Sequence, residues 1–180
     1  MARNVHLQFI LRDLLIQRAK LWIAHDACTA AEPPAPFAVV NGGAKAVLDN
    51  PGLLRMVLTD VVVLRVSEER SFRVQDCHLT REVTESELQF GVVTADLSML
   101  KELVIRVRDR EGRPAASQAF GLVRVGDSSR EVHTDSEGEA VLLAAPGRYL
   151  STAGGPHASV VQFDVGSSGN ERHVIDLAAG

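Results

Sequence analysis

The stretch Val132-His133-Thr134-Asp135-Ser136-Glu137-Gly138-Glu139-Ala140-Val141-Leu142-Leu143-Ala144-Ala145-Pro146-Gly147-Arg148-Tyr149-Leu150 decides the fold class. It reads as a short strand, a tight turn, an apolar strand, a stop and another strand. Asp135-Ser136-Glu137-Gly138 supplies the turn, with Gly138 free to take a positive φ. Residues 140–143 form an apolar run bounded by turn signals and stopped by Pro146-Gly147, as a buried strand is. Tyr149 then re-enters the core and brings a hydroxyl that must find a partner there.

The same grammar extends on both sides. Leu103, Ile105 and Val107 alternate with Val104, Arg106 and Arg108, the period of a half-buried strand. Asp109-Arg110-Glu111-Gly112-Arg113-Pro114 is a turn, and Phe120, Leu122, Val123 and Val125 form the next strand. Beyond Gly154-Gly155-Pro156, Val160, Val161, Phe163 and Val165 alternate with polar neighbours, and a last strand covers residues 173–177. Strands at roughly 8–12-residue spacing with turns between them indicate an antiparallel sandwich or barrel.

The order of these turns resembles the carboxypeptidase regulatory-like domain, a transthyretin-like seven-stranded sandwich. The residues that carry it are Asp109, Gly112 and Pro114; then Thr134, Asp135, Gly138 and Ala140; then Pro146, Gly147 and Tyr149. The resemblance covers about residues 102–178. It implies a stabilising or protein-contact appendage without catalytic machinery. The related hydroxyisourate hydrolases end in Tyr-Arg-Gly-Ser; this chain ends Leu177-Ala178-Ala179-Gly180, which does not match their activity.

The first half is less legible. Val5, Leu7, Phe9 and Leu11, then Ala19, Leu21 and Ile23 with Trp22 on the other face, fit two strands. Leu7, Leu11, Leu14, Leu15 and Arg18 also fit the 3.6-residue period of one amphipathic helix over 5–24. An internal comparison favours strands. Leu11-Arg12-Asp13 resembles Val107-Arg108-Asp109, and the run ending Asn50-Pro51-Gly52 resembles the run ending Ala145-Pro146-Gly147. Asn41-Gly42-Gly43 stands roughly where residues 135–138 stand, as in a divergent tandem duplication. Residues 61–66 read as a central strand, and Phe72 with Val74, then Leu88, Phe90 and Val92, as two more strands around polar residues 80–87. Glu32-Pro33-Pro34-Ala35-Pro36 reads as a stiff exposed loop. Residues 94–99 resemble a capped helical turn, and the domain boundary is expected there, near 94–101.

Composition narrows the function classes. The 180 residues carry 46% hydrophobic and 4% aromatic side chains and a net charge of -4, a globular chain without a nucleic-acid footprint. Arg12 and Asp13 interrupt the apolar run of residues 5–16, and no stretch approaches the ~20 apolar residues that span a bilayer. A cytoplasmic protein with no membrane contact is expected from this. No nucleotide, lipase-type or zinc-protease motif occurs, and no cofactor or enzyme activity is expected.

Three constellations hold residue types that could carry chemistry. His25 and Cys28 with Cys77 and His78 offer zinc-type ligands or a Cys28–Cys77 disulfide, but neighbours on a strand point to opposite faces. His133, Asp135 and Ser136 share one turn, where a triad geometry is rare. Asp135, Glu137 and Glu139 alternate but supply too few oxygens for calcium. Arginine carries a different message: of the 19 basic residues only Lys20, Lys45 and Lys101 are lysine. Arg106, Arg108 and Arg110 alternate along the strand that begins the second half and form a candidate protein-docking face.

The sequence therefore predicts an all-β chain of two tandem antiparallel β-sandwich (transthyretin/Ig-like) domains, 1–95 and 102–180. The expected role is a non-enzymatic scaffold or interaction module of a larger bacterial assembly, with a protein partner. The alternative is a carbohydrate- or peptide-binding module, for which Trp22 would be the test position.

Overall fold

Fourteen strands and one short helix make up the computed structural model, which describes residues 2–25, 35–127, 129–153, 160–167 and 172–178. The chain is all-β and divides into two compact units, Met1–Ser98 and Met99–Gly180.

In the first unit the strands are β1 (Arg3–Ile10), β2 (Leu14–His25), β3 (Phe37–Val40), β4 (Gly43–Leu48), β5 (Gly52–Arg65), β6 (Arg70–Val83) and β7 (Val92–Asp96), with helix α1 (Glu85–Phe90) before β7. They form one sheet in the order β6-β5-β2-β3-β4-β1-β7, antiparallel except for the parallel pair β1–β7. Period-2 alternation buries Val5, Leu7 and Phe9 from β1, Ala44, Ala46 and Leu48 from β4, and Leu54, Met56 and Leu58 from β5. A bulge between β2 and β5 shifts the phase, with Asp60 at φ 53, so that Val61 and Val63 continue the buried face. Strand prevails over helix in 5–24 because β1 and β2 find partners along their whole length.

In the second unit β8 (Lys101–Arg108), β9 (Ala119–Arg124), β10 (Arg130–His133), β11 (Glu139–Ala144), β12 (Gly147–Ala153), β13 (Val160–Val165) and β14 (Arg172–Ala178) form two sheets, β10-β9-β12-β13 and β11-β8-β14. β14 runs parallel to β8 and every other pair is antiparallel. The core holds Leu103, Ile105, Val107, Phe120, Leu122, Val132, Leu142, Tyr149 and Leu177, a mainly aliphatic set.

Numbered within each unit, both follow one strand order: 4-1-7 in one group and 3-2-5-6 in the other. The registers agree as well. Arg3↔Leu48 to Gln8↔Gly43 in the first unit match Lys101↔Ala144 to Arg106↔Glu139 in the second. Pro51-Gly52 and Pro146-Gly147 open equivalent strands, with Gly52 at φ 138 and Gly147 at φ 148.

Several expectations are corrected. The polar residues 80–87 do not lie between two strands: β6 runs to Val83, and Leu88 and Phe90 lie in α1, not on a strand. The helical turn expected at 94–99 stands ten residues earlier. Thr84 accepts from the Glu87 amide while the Glu87 carboxylate accepts from the Thr84 amide, a capping box. Residues 94–96 are the end of β7, whose pairing with β1 outweighs their capping pattern. Val66 lies beyond β5 in a single 3-10 turn. In the loop predicted at 32–36, Ala35 and Pro36 are exposed and the rest lies outside the described residues.

Candidate interaction surface

The arginine row is built by β8 but does not form one free face. Arg106 donates from Nε to Glu139 Oε1 at 2.8 Å, on the strand beside it. Asp176 stands opposite it on β14, so a cation lies between two acids across three strands. The hydrogen bond to Glu139 comes first among the influences that raise the Arg106 pKa. Arg108 is exposed and donates from Nη1 to the Gly112 carbonyl at 3.1 Å. Arg110 is exposed but lies past the end of β8, in the turn, so the predicted alternation along one strand is corrected to two strand positions and a loop. Glu102 and Val104, earlier on the same face, are 7% and 0% exposed, so the row is solvated only toward its C-terminal end.

The turns that carry the sequence pattern use their polar groups internally. Asp109 Oδ1 accepts from the amides of Glu111 at 3.0 Å and Arg113 at 2.8 Å, and the amide of Arg113 is chief among the groups that lower its pKa. Asp135 Oδ1 likewise accepts from Glu137 N at 2.9 Å and Glu139 N at 3.0 Å. Thr134 Oγ1 donates to the Ala115 carbonyl at 2.6 Å and accepts from Gln118 N at 2.8 Å, tying this turn to the loop beside it. Gly138, at φ +71, could carry no side chain: a Cβ would lie 2.8 Å from Ala115 N and 2.9 Å from the Val107 carbonyl oxygen.

The remaining candidates do not assemble. His133 Nε2 lies 3.0 Å from Glu131 on its own strand, and Asp135 Oδ1 accepts from the amides of its own turn. Cys77 is fully buried whereas His78 is exposed and 3.2 Å from Asp76, the opposite facing expected of adjacent strand residues. Cys28 and the His25 side chain lie outside the described residues, and among the described residues no three His, Cys, Asp or Glu side chains gather as metal ligands. Trp22 is half-buried on the side of β2 opposite Leu21, with its indole N–H donating to Thr59 Oγ1 at 3.2 Å. Its cross-strand neighbour is Val57, which in turn neighbours His78 on β6.

Sequence reasoning missed the seam between strands six and seven of the first unit and the ring pair that replaces its arginine in the second. In the first unit this seam is β6/β7, the two ends of the sheet order. Arg81 on β6 donates from Nη2 to Glu87 Oε1 at 2.6 Å and from Nη1 to the Thr94 carbonyl on β7. The guanidinium thus joins the two sheet ends. Burial pushes the Glu87 carboxyl upward, but the Thr84 amide and Arg81 outweigh it and hold the group below its ordinary range. The signal was available as Thr84-Glu85-Ser86-Glu87, a T-x-x-E pattern. In the second unit the register puts Phe163 where Arg81 stands and Tyr149 where Leu54 stands. Their rings stack at 5.7 Å, and Tyr149 Oη donates to the Ala145 carbonyl at 2.7 Å.

No family model matches this chain, and neither does any curated protein. Solved structures do. The chain is similar to the Bacillus anthracis TIE protein at 16% identity and TM-score 0.38, over 99% of this chain and 40% of that one. It is similar to a streptococcal ancillary pilin at 12% identity and TM-score 0.35, over 99% of this chain and 68% of that one. It is also similar to GBS52, the minor pilin of Streptococcus agalactiae, at 11% identity and TM-score 0.35, over 98% and 95% of the two chains. The chain therefore spans less than half the length of the first of these. These neighbours support a β-sandwich but not a carboxypeptidase regulatory-like domain specifically, so the resemblance stands at the coarser level of a β-sandwich. They also overturn the expectation of a cytoplasmic location, since pilins are secreted, cell-wall-anchored proteins. The physical reason that expectation failed is local: Arg12 and Asp13, which break the apolar run, stand in the connection between β1 and β2 and report a turn, not a compartment.

Proposed function

We propose that this chain is a non-enzymatic scaffold or interaction module of a larger protein assembly, built from two copies of one seven-stranded sandwich. The observation that carries this reading is the repeated strand order, 4-1-7 with 3-2-5-6, in equal registers. The loops and sheet edges of each module supply the contacts. The turn set Asp109, Gly112, Pro114, Thr134, Asp135, Gly138 and Tyr149 supports carboxypeptidase regulatory-like descent for residues 102–178 in particular. The domains are read as 1–95 and 102–180. The exposed part of the arginine row, Arg108 and Arg110, is the docking surface for an acidic protein partner. The test is affinity capture with the full chain and with Arg108→Glu/Arg110→Glu. A partner held by the wild type and lost by the variant supports the reading, and a chain that retains no protein in either form sinks it.

A second reading has one observation behind it. Trp22, the chain's one tryptophan, sits on the outward side of its strand instead of in the core, as an aromatic platform for a sugar or peptide would. Glycan retention lost in Trp22→Ala, with the fold intact, would favour that role over the scaffold.

A further inference from the structure

Sheet edges are rows of unpaired amides and carbonyls, and proteins guard them with charge, proline, bulges or a covering element. The edges differ in how well they are guarded. At β7 the Thr94 carbonyl is taken by Arg81, and β6 carries Arg70, Arg73, Asp76, Arg81 and Glu82. β10 is four residues long and holds Arg130, Glu131 and His133. β11 buries Ala140, Leu142 and Ala144 fully on its core side.

Among the described residues, β13 is the more lightly guarded edge. Its sequence, Val160-Val161-Gln162-Phe163-Asp164-Val165, has no proline, glycine or lysine. Its one charge, Asp164, already faces Arg148 at 3.3 Å. Its six pairs with β12 are unbroken by a bulge, so the far edge is straight. β13 ends its sheet, and no strand pairs with that edge among the described residues. The core behind it is also incomplete. Val161, Phe163 and, on β14, Ile175 point toward the core cluster but remain only partly buried. In the first unit the β7 residues Val93 and Ala95, equivalent in register to Ile175 and Leu177, are 0% and 4% exposed.

We propose that β13 pairs antiparallel with β13 of a second copy of this chain, joining two four-stranded sheets into one of eight. The strand is self-complementary about Phe163. That register sets Phe163 beside Phe163 and Val161 beside Val165 of the copy on the core side. On the outer side it sets the Gln162 amide beside the Asp164 carboxylate of the copy, twice by symmetry. Each of these pairs is then apolar with apolar or donor with acceptor, and Val160 falls opposite Gly166, beyond the strand. The inference does not depend on the partner that the scaffold reading requires: a chain that dimerises but captures nothing keeps this inference and loses that reading.

Sedimentation equilibrium of the full chain from about 1 to 200 μM reads the association directly. A concentration-dependent dimer is expected. Gln162→Glu places like charges opposite Asp164 and should weaken the dimer by roughly tenfold or more. Gln162→Lys places opposite charges there and should retain it. The position is exposed and outside the core, so both variants keep the fold, which the thermal midpoint verifies. Hydrogen exchange supplies a second reading: amides of residues 160–165 should gain protection as concentration rises. A wild type monomeric throughout, a dimer indifferent to Gln162→Glu, or one lost equally in Gln162→Lys overturns the proposal.

Discussion

The two units solve one topology with different chemistry at the same places. Between strands three and four, the first unit uses a two-residue turn, Asn41-Gly42, with φ 47 and 76, tight enough for β3 and β4 to pair. The second uses the longer Asp135–Gly138 turn, whose amides fold back onto the Asp135 carboxylate. There β10 and β11 stay in separate sheets. Between strands six and seven the first unit inserts α1 and an arginine bridge, while at the matching strand-six position the second stacks Phe163 on Tyr149 of strand five. The lesson is that the alternating core faces define the fold, and the seams between sheets are free to diverge.

The largest test of that equivalence lies in the core. Leu7 and Ile105 occupy matching register positions and both are 0% exposed. Leu7→Ala and Ile105→Ala should each cost about 2–5 kcal/mol in denaturant unfolding. A cost under about 1 kcal/mol at either site would break the equivalence of the two cores.

The turns between strands three and four should separate the units next. Gly138→Ala meets backbone on two sides as well as a positive φ, and should cost roughly 3 kcal/mol. Gly42→Ala, whose Cβ would lie 3.3 Å from the Phe9 carbonyl oxygen, should cost about 1–2 kcal/mol. The order of the two losses is the prediction; its reversal would mean that the longer turn can relax.

At the ring pair of the second unit, Tyr149→Phe removes one hydrogen bond to the Ala145 carbonyl and should cost about 1 kcal/mol. Arg81→Met removes a partly exposed ion pair together with the bond to Thr94, at a similar cost of about 1 kcal/mol. Region-resolved hydrogen exchange should show each loss confined to its own unit, and a loss spread evenly over both would contradict the division at Ser98.

The smallest effect is that of pH. Glu87 has its carboxyl held below the ordinary value of 4.5, so its stabilisation is complete above that value and fades as pH falls through the lower folded one. Asp109 behaves alike in the second unit below 3.8. Acid titration followed at β7 and at the 109–113 turn should show both weakening below about pH 4, and Glu87→Gln should flatten the first response alone.

Much of this was legible along the chain. The second unit's strands were readable because its turns carry residues that only turns need, above all Asp109, Asp135 and Gly138. The first unit was harder because β2, β5 and β6 are long and β5 changes face at Asp60, so neither period holds throughout. The arginine row looked uniform only while strand length was unknown. Arg106 and Arg110 have the same spacing from Arg108, yet one is bound across the sheet and the other lies in a loop.

By itself the sequence determined the all-β class, the Pro-Gly strand openings and the apolar faces, because alternation and turn chemistry act between residues close in the chain. Tertiary structure alone decided which strands are neighbours, that both units share one order, and which side chains fill the seams. Those depend on partners tens of residues apart: Arg81 shows its function only beside Thr94, and Phe163 only over Tyr149. Local physics specifies the strand, and the pairing specifies what its edges and polar groups are left to do.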